Sequence, residues 1–170
     1  MDVKILIFSF FLFFLYILFQ SYEKTIYGKP KIIDGDTVHI NNKKIRLHAI
    51  DAPEINQTCS KDKFIWNCGI ESKNFLKKII DEDKIMCRSN GVDKYKRYIG
   101  ICYKWEKNFL WRKSNEVIDL NREMVLKGWA IAYRYYSLDY IKEEEIAKNN
   151  RDGIWIGKFE EPYLFRKRNK

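Results

Sequence analysis

The sequence predicts an α+β fold: a small barrel of five short strands carrying three helices, preceded by an apolar N-terminal helix. Three observations predict it. Short β-forming runs alternate with turn signals across the first half of the chain. A single stretch of helical spacing separates the third run from the fourth, and two more helical stretches follow the fifth. Five short strands with a helix after the third describe a Greek-key barrel of the OB type with added helices.

The elements follow in order. The first strand lies near Ile26 to Ile33. "IIDGDTVHI" then reads as strand, Asp-Gly turn and strand, with Thr37, Val38 and Ile40 as β-formers. Asn41-Asn42 turns the chain into a third strand, Lys43 to Ile50, with Arg46 and His48 on one face and Ile45, Leu47 and Ala49 on the other. Residues 52–67 form a loop. From Gly69 to Asp81, Ile70, Phe75, Leu76, Ile79 and Ile80 share one helical side. "KIMCRS" and "YIGICY" are strands around "NGVDKYKR", a long hairpin loop starting at Asn-Gly. A polar, Trp-rich connection leads to a short helix in "DLNREMVLKGW", with Asp119 or Asn121 as its cap and Gly128 as its stop. "SLDYIKEEEIAKNN" is the next helix, with Ser137 as a possible cap, and it ends before Asp152-Gly153.

With 170 residues, 46% of them apolar and 16% aromatic, the chain can bury one core without outside help. There is no repeat and no low-complexity tract after the leader. The net charge is +9, and the excess lies outside residues 1–23, which carry only Lys4 against Asp2 and Glu23. Such a domain is drawn to polyanions or anionic membranes.

"ILIFSFFLFFLYILF", residues 5–19, is broken only by Ser9. As a helix it spans roughly 22 Å, short of a hydrocarbon core of about 30 Å. It reads either as the apolar region of a signal peptide or as a short uncleaved anchor. Phe19, Gln20 and Ser21 offer no small-x-small cleavage site. Residues 1–23 are thus expected to direct export, and residues 24–170 to form the domain. The expected location is periplasmic or secreted, with anchoring to the inner membrane by residues 5–19 as the alternative to a cleaved signal. Cys59, Cys68, Cys87 and Cys102 fit an oxidising compartment. No C-x-x-C pair argues for zinc. Spacing favours Cys59–Cys68 and Cys87–Cys102, with other pairings open.

"DGDT" (34–37), "RLHAIDAPE" (46–54) and "DKYKR" (93–97) occur in this order, followed by "NREMVLKGWAIAYRYYS" (121–137) and "GIW" (153–155). On these motifs the chain resembles the staphylococcal-nuclease-like (thermonuclease) family over roughly residues 26–157. A subset typical of exported proteins of Gram-negative bacteria also carries "QTC", "W-x-CG" and one cysteine in each of the next two strands. Gln57-Thr58-Cys59, Trp66-Asn67-Cys68-Gly69, Cys87 and Cys102 match it. The match implies the same two disulfides.

The resemblance implies an OB barrel with three helices and a metal-dependent nuclease acting on DNA and RNA with little sequence specificity. Asp36, Asp51 and the backbone carbonyl of Ala52 would hold one Ca²⁺, since hard carboxylate and carbonyl oxygens suit that ion. Glu54, braced by Pro53, would be the general base. Arg46 and Arg97 would clamp phosphate, because a guanidinium offers paired donors and stays charged as negative charge grows. Lys94, Tyr95, Tyr133 and Tyr135 would line the nucleotide pocket.

His39 and His48 read as exposed strand residues, and Trp129 and Trp155 as core. Lys96 stands where the family often has glycine, which predicts a changed turn beside Arg97. The hairpin from Asp36 to Arg46 is shorter than in well-known members. Two other readings compete: an OB module that binds nucleic acid without cutting it, and a membrane-attached protein that holds polyanions. No protein partner is implied, and the expected state is a monomer. The first competitor would lack the arginines or carboxylates, and this chain keeps all five groups.

Overall fold

The computed structural model describes residue 10 and residues 23–107 and 113–169. The expected signal or anchor over residues 5–19 thus falls almost wholly outside the described residues. Among the described residues no helix is long and apolar enough to cross a membrane.

The central sheet is built from β1 (Lys24–Gly28), β2 (Lys31–Ile32), β3 (Thr37–Ile40), β4 (Lys43–Leu47), β8 (Ile85–Val92) and β9 (Tyr98–Lys107). Their order is β1-β8-β9-β4-β3-β2, all antiparallel except the β4–β9 pair. The two ends of this order, β1 and β2, are separated only by Lys29 and Pro30. They are halves of one bent strand, so the sheet closes into the expected five-stranded barrel. Proline at the bend has no N–H to leave unpaired there. Asn41 and Asn42 take left-handed conformations at the β3–β4 turn, as a two-residue hairpin loop requires.

Inside the barrel, Ile26, Val38, Ile40, Ile45, Leu47, Ile85, Cys87 and Cys102 are buried together. Helix α1 (Cys68–Ile80) closes one end with Leu76 and Ile80, and α2 (Leu120–Leu126) adds Leu120, Met124 and Val125. A second cluster unites Cys59, Cys68, Ile131 and Ile154 with Trp66, Trp129, Trp155 and Phe159. Both disulfides form as expected, Cys59–Cys68 and Cys87–Cys102. The second joins directly paired residues of β8 and β9.

Several local expectations are corrected. The strand through Arg46 stops at Leu47. Ala49 then adopts φ +59°, and the chain resumes as β5 (Ile50–Asp51), paired with β11 (Ile131–Ala132). The loop of residues 52–67 contains a small hairpin, β6 (Cys59–Lys61) and β7 (Phe64–Trp66). Asn90-Gly91 does not start the hairpin loop but lies within β8 at a register shift, and the turn falls at Asp93–Lys96. Where a polar, Trp-rich connection was expected, β9 runs on to Lys107 and β10 (Lys113–Asp119) pairs antiparallel with it. Ser137 does not cap α3 (Ile141–Asn150). Its Oγ instead accepts the Asp139 N–H at 3.0 Å. A 3-10 turn (Gly153–Ile156) leads to a further helix, α4 (Pro162–Arg168), which had not been expected.

Asp119, not Asn121, caps α2, accepting the Arg122 N–H at 3.0 Å. Asn121 is fully buried and bridges α2 to the barrel. Its Oδ1 accepts the Cys102 N–H at 3.0 Å, and its Nδ2 donates to the carbonyls of His48 (2.9 Å) and Gly100 (3.2 Å). Asn121→Ala would strand buried backbone groups, each costing on the order of 1–3 kcal/mol. A loss of about 3 kcal/mol is expected in urea unfolding, and an unchanged midpoint would contradict the bridging role.

Candidate active site

Asp36 ends the Asp34-Gly35-Asp36 turn just before β3. The turn presses against α1: a Cβ at Gly35 would lie 2.0 Å from Ser72 Oγ and 2.7 Å from Ala52 Cβ. Only glycine lets the turn approach this closely. Asp34 Oδ1 accepts the Asp36 N–H at 3.0 Å, and Asp36 Oδ2 accepts the Ala52 N–H at 3.0 Å. Asp36 Oδ1 accepts from Thr37 Oγ1 at 3.0 Å and from Arg46 Nη1. Arg46 stands on β4 directly opposite Thr37. Its Nη2 donates to Asp51 Oδ1 at 2.7 Å. One guanidinium therefore bridges two buried carboxylates from different segments, Asp36 in the turn before β3 and Asp51 on β5.

Glu54 follows on the loop after β5. Its N–H donates to Gln57 Oε1 at 3.2 Å, and its carbonyl accepts the Gln57 N–H at 2.8 Å. Gln57 is itself fully buried. The Gly69 backbone abuts this turn so closely that a Cβ there would lie 1.7 Å from the Glu54 carbonyl oxygen.

Sequence reasoning missed a second guanidinium. Arg166 of α4 donates from Nη1 to Asp51 Oδ1 (2.8 Å) and Glu54 Oε1 (2.8 Å), and from Nη2 to Asp51 Oδ2 (3.0 Å). The only sequence signal was an arginine in the basic run Arg166-Lys167-Arg168, which reads as a solvated charge cluster.

Arg97, by contrast, contacts its own hairpin. Its Nε and Nη2 donate to Asp93 Oδ2 at 2.8 and 2.7 Å. Among the described residues no hydrogen bond or ion pair links it to Asp36, Asp51 or Glu54. Lys96 takes φ +62°, the left-handed conformation that glycine adopts without strain. Asp93 Oδ1 accepts the N–H groups of Tyr95 and Arg97, both at 2.9 Å. Lys94 Nζ lies 5.2 Å from the centre of the exposed Tyr95 ring. Tyr133 is anchored by its N–H to the Ala49 carbonyl at 2.8 Å. Its ring meets those of Tyr135, Tyr136 and Tyr163 at 6.1, 5.2 and 6.4 Å between centres. His48 is partly exposed, 3.5 Å from Asp139. Trp129 and Trp155 pack in the core.

The site is short of positive charge. Asp34, Asp36, Asp51 and Glu54 face two guanidiniums. Burial first, then the Asp36 charge, push the Asp34 carboxyl up to about 7. Burial would also raise Asp36, but Arg46 and the Ala52 N–H hold it below the usual range. Burial and Asp36 push Asp51 upward against the pull of Arg166 and Arg46. Burial opposes the charge of both arginines, yet their carboxylate partners raise each above the ordinary arginine value. Among the described residues, no three acid, histidine or cysteine side chains converge as a preformed cation cage. The donor chemistry and surplus negative charge nonetheless fit a divalent cation.

A closed barrel of this strand order, with acids and arginines gathered beside β3, β4 and β5, defines an α+β barrel of the OB type. The model for the staphylococcal nuclease homologue family matches residues 44–157, and the chain belongs to that family. It is 32% identical over 159 residues to a protein of Haemophilus influenzae named as an endonuclease, covering 89% of this chain and 78% of that one. It is 27% identical over 152 residues to the micrococcal nuclease of Shigella flexneri, covering 82% and 79%. It is also 29% identical over 133 residues to the succinoglycan biosynthesis protein ExoI of Rhizobium meliloti, covering 76% of this chain and 64% of the relative, just under two thirds of its length.

Proposed function

We propose that the chain is an exported, metal-dependent nuclease that hydrolyses phosphodiester bonds of DNA and RNA with little sequence specificity. The observation that carries this reading is Arg46 bridging Asp36 and Asp51 beside Glu54. Asp36, Asp51 and the Ala52 carbonyl would hold one Ca²⁺, which when bound supplies positive charge against the phosphate. Glu54 takes a proton from the attacking water. Arg46 uses two guanidinium donors on the carboxylates and a third on the Ile50 carbonyl at 3.4 Å. Its remaining N–H groups can meet phosphate oxygens as charge builds. Arg97 would add a further guanidinium once it leaves Asp93. Lys94, Tyr95, Tyr133 and Tyr135 would hold the nucleotide. Exposed tyrosine faces stack on any base, which suits weak sequence preference.

The disulfides and the apolar segment at residues 5–19 support export, either by a cleaved signal or by a membrane anchor. Mass spectrometry of the mature N-terminus distinguishes these. The protein acts as a monomer in this reading. The central test is cleavage of single-stranded DNA and RNA with Ca²⁺ or with chelator. Ca²⁺-dependent cleavage of both is expected, with Glu54→Gln slower by about 10²–10⁴-fold. Cleavage indifferent to chelator would remove the metal assignment. Tight, salt-sensitive binding without cleavage would make the chain a binding module.

A further inference from the structure

We propose that Arg166 is an additional catalytic arginine, and that α4 forms one wall of the substrate site. The proposal rests on the nuclease reading above and extends it to residues beyond the family match, which ends at residue 157.

Arg46 and Arg166 share one oxygen. Asp51 Oδ1 accepts from Arg46 Nη2 at 2.7 Å and from Arg166 Nη1 at 2.8 Å. Two guanidiniums therefore stand side by side, separated by a single carboxylate oxygen. A guanidinium has five N–H donors in a fixed fork. Arg166 uses three of them, two on Asp51 and one on Glu54. Two remain, and its side chain keeps 29% exposure. Those two can meet a phosphate oxygen while the others keep Asp51 and Glu54 in place. Two like charges at this spacing repel unless anions lie between and beside them. Asp51 supplies one such anion, and a substrate phosphate supplies another.

The helix is anchored for this task. Ser60 and Lys158 exchange backbone hydrogen bonds of 2.9 and 2.7 Å, and the Gln57 amide donates to the Glu160 carbonyl at 2.7 Å. Ser60 lies next to the Cys59–Cys68 disulfide. Pro162, at the first turn of α4, is buried. The chain into α4 is thus tied to the same Glu54–Gln57 turn that positions the proposed base. Tyr163 lies three residues before Arg166, on the same side of the helix. Its ring meets Tyr133 at 6.4 Å and is half-exposed, so it extends the tyrosine platform beside the guanidinium. One turn of α4 therefore delivers a phosphate donor and a base-stacking ring together.

The test uses the full chain and a fluorescent single-stranded deoxyoligonucleotide in Ca²⁺. Arg166→Ala is expected to lower kcat/KM by about 10²–10³-fold, as loss of a transition-state donor does. Millimolar guanidinium ion should restore part of that rate in Arg166→Ala and none in Arg168→Ala, an exposed control expected to cleave like the parent. Arg166→Lys keeps a charge against Asp51 but loses the fork. It should fold normally and lose about 10-fold or more. Tyr163→Leu should weaken binding of the oligonucleotide about 5-fold or more. If folded Arg166→Ala or Arg166→Lys cleaves as fast as the parent, or faster, the arginine only covers the carboxylates and the proposal falls. Glu54→Gln, run in parallel, separates the two readings. A full rate there overturns the nuclease site itself, whereas loss in Glu54→Gln with none at Arg166 overturns only the role of α4.

Discussion

Arg46→Ala is expected to cost both the reaction and much of the fold. The side chain is 13% exposed, and those of Asp36 and Asp51 are 4% and 0% exposed. Removing the guanidinium strips Asp36 of its direct cation partner and leaves Asp51 to Arg166 alone. Breaking a buried ion pair from one side typically costs about 3–5 kcal/mol, because the remaining charge stays desolvated. For a chain of this size a loss of about 3 kcal/mol lowers the thermal midpoint by roughly 6–12 °C. The sign of the pH dependence follows from Asp36. In the parent its pKa is depressed by Arg46, so the pair stabilises the fold above the unfolded carboxylate value and fades as acid protonates Asp36. In the variant that contribution is gone, so the gap between the two proteins should narrow as pH falls. Cleavage should drop by about 10³-fold or more. Arg46→Lys should recover part of the stability but little of the rate, because one ammonium cannot bridge two carboxylates and still present a fork. A variant unfolding at the parental midpoint at neutral pH would contradict the buried bridge.

Gly69→Ala is expected to damage the site from outside it. The added methyl would meet the Glu54 carbonyl oxygen at 1.7 Å, the Glu54 carbonyl carbon at 2.6 Å and Ile55 Cα at 3.0 Å. Neither side can recede easily. Cys68 is held by its disulfide to Cys59, and the Glu54–Gln57 turn is closed by two hydrogen bonds. Overpacking against backbone costs about 1–3 kcal/mol or more. A shift of about 1 Å at Glu54 would slow catalysis on the order of 10²-fold. Gly91→Ala is the matched control, since nothing lies within 4 Å of its Cβ position. Oligonucleotide cleavage and urea unfolding of the two variants should diverge clearly. Parental behaviour in Gly69→Ala would mean that the loop carrying Glu54 yields freely.

Much of this was legible in the chain. Period-2 runs with Asn-Asn and Asp-Gly turns located the barrel strands, and helical spacing located α1 within a residue of Cys68–Ile80. The motif around Arg46, Asp51 and Glu54 was visible because these residues lie within nine positions. What sequence did not show came from contacts between distant segments. Arg166 reaches Asp51 across 115 positions, and no local pattern separates it from the solvated Arg168 two residues later. The break at Ala49 depends on β5 leaving the barrel to pair with β11, which local propensity does not record. Asn-Gly at 90–91 is a strong hairpin signal, yet pairing with β9 continues past it to Val92. At Lys96 the backbone takes the left-handed conformation that glycine adopts without strain, and the Asp93 side chain caps the loop, which no side-chain pattern in the sequence announces.

The bend at Lys29-Pro30 also sets how this chain can be cut. The matched family region begins at residue 44. A fragment starting there would lose β1, β2 and β3, and with them Asp36. β8 would lose its partner along Lys24–Gly28, and β4 its partner along Thr37–Ile40. The barrel would become an open sheet with two bare edges, along β8 and β4. Such edges recruit other strands, so the fragment is a template for aggregation rather than a smaller enzyme.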